Sequence, residues 1–146
     1  MSPRAFSIIA LLISIKSFSQ FDPKMLVGKW KLVSGKNKDT TIIYQTSNQY
    51  YIQYFKSGNY RETHIRNEKW NGKSIKGTYY TVGKWKIVDS LVTMYDRRPE
   101  PPRKHVTYRD YSDTLISLNT SEMYIISQLN EAGEGAEGTL FYKKIQ

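Results

Sequence analysis

The stretch that decides the fold is LVGKWKLV, residues 26–33, in which polar and apolar residues alternate. Alternation with period two predicts a β-strand, because successive side chains of a strand point to opposite faces. Trp30 and Leu32 then face a core, and the two lysines of the stretch face water. Gly28 lies on the same face as Trp30, and its missing side chain leaves room for chain to pass beside the indole ring. The stretch therefore predicts the opening strand of a β-sheet that packs Trp30 inside.

The same pattern recurs as GKWKIV, residues 83–88, which places Trp85 and Ile87 on an inner face. Between the two, KSGN at residues 56–59 joins two strands of a predicted hairpin, with a glycine available for the turn. Polar clusters at residues 71–73, 75–77, 89–90 and 112–113 predict further turns. We predict the other strands at residues 40–44, 50–55, 60–66, 78–82, 91–95, 105–111, 114–119, 123–128 and 139–145.

The fold class follows from the spacing of these strands and turns. No window after the first 20 residues has helical periodicity, and turn signals recur about every 8–12 residues, as in sandwiches and barrels. We therefore predict an all-β protein. About eight to ten short, consecutive strands favour an antiparallel up-and-down β-barrel, since sequential neighbours pair and closure removes exposed edges. A β-sandwich is the alternative.

Residues 1–19 have the layout of a signal peptide that precedes a single domain, residues 20–146. Arg4 provides the positive start, residues 6–15 form an apolar run, and Ser17 and Ser19 place small residues at the positions that a signal peptidase inspects. The apolar run is shorter than the roughly 20 residues that span a bilayer. We therefore predict cleavage before Gln20, no stable membrane anchor, and an exported protein that is periplasmic or extracellular.

Charge and cysteine content narrow the classes of function. The chain has 22 Lys and Arg against 13 Asp and Glu, a net charge of +9, and loss of residues 1–19 lowers that charge by two. The basic residues are scattered at alternating strand positions, which indicates a solvated surface and no nucleic-acid partner. Attraction to anionic envelope material, or an envelope protein partner, is compatible with this charge. The absence of cysteine excludes disulfides, zinc thiolate sites and thiol catalysis.

Nothing in the sequence predicts an enzyme, a metal site or a cofactor. His64 and His105 are the only histidines, and they lie on separate predicted strands, without ligand-type spacing to a carboxylate such as Glu62 or Asp110. The sequence has no nucleophile elbow and no phosphate-binding loop. The glycine-rich acidic segment at residues 130–138 lacks the alternation of a calcium loop, and we expect a solvated loop at the mouth of the barrel.

The aromatic content bears on what the barrel holds, because an interior of about eight strands fits side chains or one small ligand. Twelve tyrosines are many for this length, and a tyrosine combines an apolar ring with a hydroxyl, as a ligand pocket requires. Ordinary packing of strand residues against their neighbours explains the same rings equally well. The candidate pocket-lining residues are Tyr51, Tyr54, Tyr60, Tyr79, Trp85 and Tyr95.

Five segments together resemble the bacterial lipocalin-like domains of the calycin group. They are LVGKWKL at residues 26–32, FKSGNY at 55–60, GKWKIVDSL at 83–91, YRDYSDTL at 108–115 and YKK at 142–144. The resemblance implies a small antiparallel barrel with a cup-shaped interior that often holds a small apolar molecule. It also gives Gly28 and Trp30 a structural role. In lipocalins an arginine usually covers this tryptophan, and Lys143 or its neighbour Lys144 stands there in this chain.

Two functions follow from this reading, and an enzymatic function is kept as a third only because some barrels of this kind catalyse. The first is an exported, non-enzymatic protein that binds a small, mainly apolar ligand in the barrel interior, with Lys143 as part of the structural motif. The second is an exported interaction module with a filled barrel. It would act through neighbouring loops and the proline segment, residues 97–104, which starts at Arg97, ends at Lys104 and contains three prolines.

Overall fold

The computed structural model describes residues 21–36, 41–43, 49–127 and 138–146. The predicted signal peptide lies outside the described residues, and so does all of the acidic segment except Gly138. Within the described ranges, no helix is long and apolar enough to cross a membrane.

The described chain is almost entirely β-structure. A short helix, α1 (Pro23–Leu26), precedes the first strand. The strands are β1 (Gly28–Lys36), β2 (Thr41–Ile43), β3 (Gln49–Tyr54), β4 (Asn59–Trp70), β5 (Lys73–Val88), β6 (Leu91–Glu100), β7 (Tyr111–Leu118), β8 (Glu122–Ser127) and β9 (Gly138–Ile145). Every pairing is antiparallel, and neighbours in the sheet follow the order of the chain from β3 to β9.

Strand β1 closes the sheet into a ring. On one edge, residues 28–31 pair with β3, and residues 34–36 pair with β2. On its other edge β1 pairs with β9 over most of its length. Both edges of β1 are therefore occupied, and the predicted up-and-down barrel is confirmed.

Trp30 lies at the end of the barrel that α1 covers. Its side chain is fully buried, and its indole N–H donates a hydrogen bond to the carbonyl of Leu26 at 2.8 Å. The lysine beside the ring is Lys144, with Nζ 5.0 Å from the ring centroid and 3.2 Å from the carbonyl oxygen of Met25. The assignment of Lys143 was therefore wrong by one position. Lys143 is exposed, with Nζ 5.9 Å from the centroid of a neighbouring phenylalanine ring.

Gly28 makes the contact between Lys144 and Trp30 sterically feasible. Its φ of +134° is one that residues with a side chain rarely adopt, and a Cβ there would lie 2.5 Å from Lys144 Cε. The sequence predicted that Gly28 leaves room beside the indole ring. The group that uses this room is the aliphatic part of the Lys144 side chain.

The apolar core fills the barrel interior next to Trp30. Its members come from α1 and from strands on all sides of the ring, as closure requires. They are Leu26, Trp30, Leu32, Ile52, Tyr54, Tyr60, Trp85, Val92, Met94, Leu115, Met123, Ile125 and Tyr142. The polar groups described below lie inside the ring beyond this core, toward the end where β6 finishes and β7 begins.

The segment between β6 and β7 differs from the prediction. Residues 97–100 belong to β6 and were predicted as part of a loop, whereas residues 105–111 were predicted as a strand and only Tyr111 is in one. Strand β6 pairs with β7 only through residues 91–94. Pro99 therefore lies where the ladder has a partner on one side alone, and a missing N–H is tolerated there.

Residues 112–113 form no turn, because Ser112 and Asp113 pair with Thr93 and Val92 inside β7. Serine and aspartate favour turns in isolation, but pairing with a neighbouring strand outweighs this local preference.

The hairpin of β4 and β5 extends beyond the ring. Strand β3 pairs with β4 only as far as Ile65, and β6 pairs with β5 only as far as Tyr80. Among the described residues, the intervening strand residues pair only with each other, and residues 75–77 continue β5, where a turn was predicted. The predicted turn at Asn71 and Gly72 is confirmed, with φ values of +48° and +76°. Trp70, at the tip, is 70% exposed.

Candidate functional site

Strands β4, β6 and β7 place polar side chains inside the barrel. Tyr60 and Glu62 are two residues apart on β4 and both face inward, and Glu62 is only 3% exposed. Tyr111 and Asp113 have the same relation at the start of β7. We refer to Tyr60, Glu62, His64, Arg97, Tyr111 and Asp113 as the polar cluster.

A β-bulge turns Arg97 into the interior. Asp96 and Arg97 together face the single residue Gly83, because the register moves from Arg98 opposite Val82 to Tyr95 opposite Lys84. The extra residue reverses which side chains of β6 face inward, and bulges commonly redirect a side chain in this way. Gly83 is required at this point, since a Cβ would lie 2.7 Å from the carbonyl oxygen of Tyr95.

Arg97 is the centre of the hydrogen bonding in the polar cluster. Its Nε donates to the hydroxyl of Tyr60 at 2.9 Å, and its Nη1 donates to the carbonyl of Arg109 at 2.7 Å. Its Nη2 lies 3.4 Å from Glu62 Oε2, and the guanidinium carbon lies 4.4 Å from the centroid of the Tyr111 ring. The Tyr111 hydroxyl donates to Glu62 Oε1 at 2.7 Å. Glu62 and Arg97 thus form a largely buried charge pair with fixed partners.

His64 continues this cluster on the next inward position of β4. Its Nε2 lies 3.7 Å from Glu62 Oε2, and the Tyr50 ring packs edge-on against the imidazole with centroids 4.6 Å apart. His64 therefore gives Glu62 a second nitrogen neighbour besides Arg97.

Asp113 is the member of the cluster that lacks a full set of partners. It is 5% exposed and lies between Val92 on β6 and Ser127 on β8. Ser127 gives its carboxylate a hydrogen bond. Within the described part of the chain, Asp113 Oδ1 is the one buried side-chain oxygen or nitrogen that has no hydrogen-bond partner.

Burial governs the ionisation of the cluster. It raises the pKa of Asp113 to about 7, a shift that the hydrogen bond from Ser127 and the charge of Arg97 oppose and the charge of Glu62 supports. Burial also raises the pKa of the phenols of Tyr50, Tyr54 and Tyr111 well above their usual value. These three phenols are therefore neutral at physiological pH.

The pKa of Arg97 responds to opposing influences. Burial lowers it, but Glu62, Tyr60 and Tyr111 together outweigh burial, so that the net direction is upward. Arg97 therefore stays cationic inside the barrel.

The residues predicted to line a pocket divide into two groups. Tyr54, Tyr60 and Trp85 are buried inside the ring. The Trp85 indole N–H donates to the carbonyl of Phe55 at 3.0 Å, and its ring lies edge-on to Tyr54 at 5.2 Å. These two rings belong to the apolar core, and Tyr60 also reaches the polar cluster.

The other three predicted residues lie outside the interior. Tyr51 and Tyr95 face outward, where Lys29 Nζ and Lys86 Nζ lie 5.0 and 5.6 Å from their ring centroids. Tyr79 pairs with His64 and so shares the inner face of the sheet, but it lies just beyond the residues of β5 that pair with β6 and is 47% exposed. Strand register decides these positions, and the sequence alone does not specify register.

Sequence reasoning did not identify Arg97, Tyr111 and Asp113 as interior residues. Arg97 was assigned to a surface loop, and Asp113 to a turn. Tyr111 was given no site role. Glu62 was considered only as a partner for a metal-bound histidine. Its position two residues after Tyr60, on the same strand face, was the signal that could have placed Glu62 in the interior.

Among the described residues, no group of three or more His, Cys, Asp or Glu side chains is placed to hold a metal ion.

Comparison with known proteins supports the fold. The sequence matches no family model and no curated protein. The structure is similar to that of a lipocalin-like protein from Bacteroides uniformis, with a TM-score of 0.55 and 16% identity over 83% of this chain and 99% of that one. A structure of an uncharacterized protein from Bacteroides eggerthii aligns over 82% of this chain and 99% of that one, with a TM-score of 0.46 and 16% identity. The protein therefore has a lipocalin-like fold, as the sequence segments indicated.

Proposed function

We propose that this protein is an exported, non-enzymatic binder that holds one small molecule inside its barrel, with the apolar part of the ligand against the core and a polar end at the polar cluster. The lipocalin-like fold supports interior binding, and the predicted signal peptide supports export.

The observation that carries this proposal is the buried polar cluster itself. Moving the charges of Glu62 and Arg97 out of water costs free energy, and well-packed apolar residues would stabilise a barrel at least as well. Asp113 adds to this cost, because one of its oxygens is buried without a partner. Groups that stabilise the fold so poorly are expected where they recognise a ligand.

The contacts within the cluster favour binding over catalysis. Glu62 accepts a hydrogen bond from Tyr111 and lies against Arg97, and burial keeps the Tyr111 phenol protonated. A carboxylate held by fixed partners suits recognition better than proton transfer, which needs a group free to change its proton.

The alternative from the sequence, an interaction module at residues 97–104, rests on a segment that the structure divides. Pro99 is buried, the Arg97 side chain is 13% exposed, and residues 101–104 are exposed. Deletion of residues 101–104 tests that alternative, since it removes the exposed part and leaves the polar cluster in place.

Native mass spectrometry of the protein purified gently from its own host, before and after solvent extraction, tests the binding proposal. We expect a reproducible mass excess that extraction removes, and a protein mass that has lost residues 1–19. Thr81→Trp places a large ring beside Glu62 inside the barrel and should abolish the excess.

The matched control is Val82→Trp, which puts the same ring one position along the strand, opposite exposed Arg98. This variant should keep the bound molecule. A bare protein mass, together with no uptake of the neutral probe N-phenyl-1-naphthylamine, would contradict interior binding.

A further inference from the structure

We propose that Asp113 anchors a cationic group of the ligand, a protonated amine attached to an apolar body. This inference rests on the proposed function and names the class of molecule that the same interior would take.

The Asp113 carboxylate has a hydrogen-bond acceptor position that no donor in the described part of the chain fills. The side chain comes from the inner face of β7, between Tyr111 and Leu115, and is buried inside the ring. Ser127 satisfies part of the carboxylate, and Oδ1 has no partner among the residues that the structure describes. A buried acceptor without a donor costs free energy that a ligand N–H would recover.

The charge of the surroundings selects a cation over an anion. Two carboxylates, Glu62 and Asp113, share the interior with one guanidinium, and the donors of Arg97 are directed to Tyr60, Glu62 and the Arg109 carbonyl. Ionised Asp113 therefore leaves one negative charge that Arg97 does not balance. One ammonium group would neutralise it, whereas a carboxylate ligand would add a second unbalanced charge.

The groups that face Asp113 reinforce this choice. Ser127 donates a hydrogen bond to Asp113. The ionisable groups that interact electrostatically with Asp113 are Glu62, Arg97, Tyr50, Tyr54 and Tyr111. The three phenols are neutral, so they add no positive charge that would balance Asp113. His64 also carries an ionisable nitrogen, which lies beside Glu62.

The inner faces of the same strands supply apolar side chains for contact with the apolar body. Leu115 follows Asp113 on the inner face of β7, and Ile125 precedes Ser127 on the inner face of β8. An ammonium at Asp113 with a carbon chain directed along these side chains meets both requirements of the interior.

Three probes that share one carbon chain test the proposal: n-octylamine, 1-octanol and octanoate, each titrated calorimetrically into the extracted protein at pH 8. We expect octylamine to bind about 10- to 100-fold more tightly than octanol, as a charge-assisted hydrogen bond allows. Octanoate should bind most weakly of the three.

Asp113→Asn keeps the shape of the side chain and removes its charge, and it should reduce octylamine binding about 10-fold or more while leaving octanol binding unchanged. The control is Asp89→Asn, the same chemical change at an exposed turn whose φ of +55° asparagine tolerates. This variant should bind all three probes like the parent protein.

A measurement on the unmutated protein keeps the test independent of how Asp113→Asn folds. Carbon-13 NMR of the Asp113 carboxyl should show its titration displaced to lower pH by octylamine and not by octanol. Equal affinities for octylamine and octanol with an unmoved titration would overturn the cation anchor and leave interior binding standing. Failure of all three probes and of N-phenyl-1-naphthylamine to bind would overturn both the cation anchor at Asp113 and binding in the barrel interior.

Discussion

Lys144 shows how one side chain can hold two parts of the barrel together. Its aliphatic stem occupies the space above Gly28, its ammonium lies over the Trp30 ring, and Nζ donates to the carbonyl of Met25 in α1. The usual lipocalin arginine offers a planar group for stacking, whereas lysine offers a compact charge on a flexible chain. The contact with Trp30 is therefore electrostatic, combined with packing of the stem.

Lys144→Ala should destabilise the protein by about 1–2 kcal/mol, because it removes the cation over Trp30, the hydrogen bond to α1 and the packed stem together. Lys143→Ala, one position earlier and exposed, should change the free energy of unfolding by less than about 0.5 kcal/mol. Urea unfolding of the two variants measures both values. Equal losses in the two variants would show that the contact with Trp30 contributes little.

The sequence was sufficient to place Trp30 inside and to explain Gly28, because both follow from alternation within one strand. It was not sufficient to choose between Lys143 and Lys144. That choice depends on the pairing of β1 with β9, where Trp30 lies opposite Lys144, and strands so distant in the chain are brought together only by closure of the ring.

At the scale of elements, most strands could be predicted and the interior face of β6 could not. The strands follow from β-branched and aromatic residues between turn signals. The bulge opposite Gly83 cannot be recognised from the hydrophobic pattern of the sequence, yet it determines that Arg97 points inward. For the same reason a segment that reads as a stiff surface loop contributes the central residue of the candidate site.

The protruding part of the β4–β5 hairpin should be dispensable for folding. Residues 66–77 lie beyond the pairing with β3 and β6, and most of their described side chains are exposed. Replacing them with Asn-Gly joins Ile65 to Thr78, which already pair with each other, through a two-residue turn suited to hairpins. We expect a melting temperature within a few degrees of the parent protein, since the change removes little buried apolar surface.

Circular dichroism and thermal unfolding measure this outcome. A matched shortening at the other end of β5 replaces residues 87–92 with Asn-Gly between the paired residues Lys86 and Thr93, takes out buried Val92 and should prevent folding. Loss of cooperative unfolding in the Asn-Gly variant would show that the hairpin supports the ring.

At the scale of the whole molecule, closure of the ring converts alternation along strands into an inside and an outside. Composition predicted that tyrosines would reach the interior, but register sends Tyr51 and Tyr95 outward while Tyr54 and Tyr60 are buried. Closure also brings Glu62, Arg97 and Asp113, from three different strands, into one enclosed volume. No local window of the sequence contains that juxtaposition.

This juxtaposition makes the stability of the protein depend on pH in a direction opposite to that of an ordinary paired carboxylate. Burial raises the pKa of Asp113 to about 7 in the folded protein, whereas an unfolded aspartate has a pKa of about 3.9. The folded state therefore binds this proton more tightly than the unfolded state. The Asp113 contribution to stability is complete below about pH 4 and is lost as the pH rises to about 7.

Asp113→Asn should remove this contribution, since asparagine keeps the shape and cannot ionise. Relative to the parent, the variant should gain stability progressively from about pH 4 to pH 7, by an amount on the order of 4 kcal/mol at pH 8. Subtracting the two curves removes the contributions of the groups that do not interact with Asp113. Urea unfolding at several pH values measures the difference, and Asp89→Asn should run parallel to the parent throughout. A parallel curve for Asp113→Asn as well would mean that Asp113 has the same pKa folded and unfolded, and that its carboxylate is solvated inside the barrel.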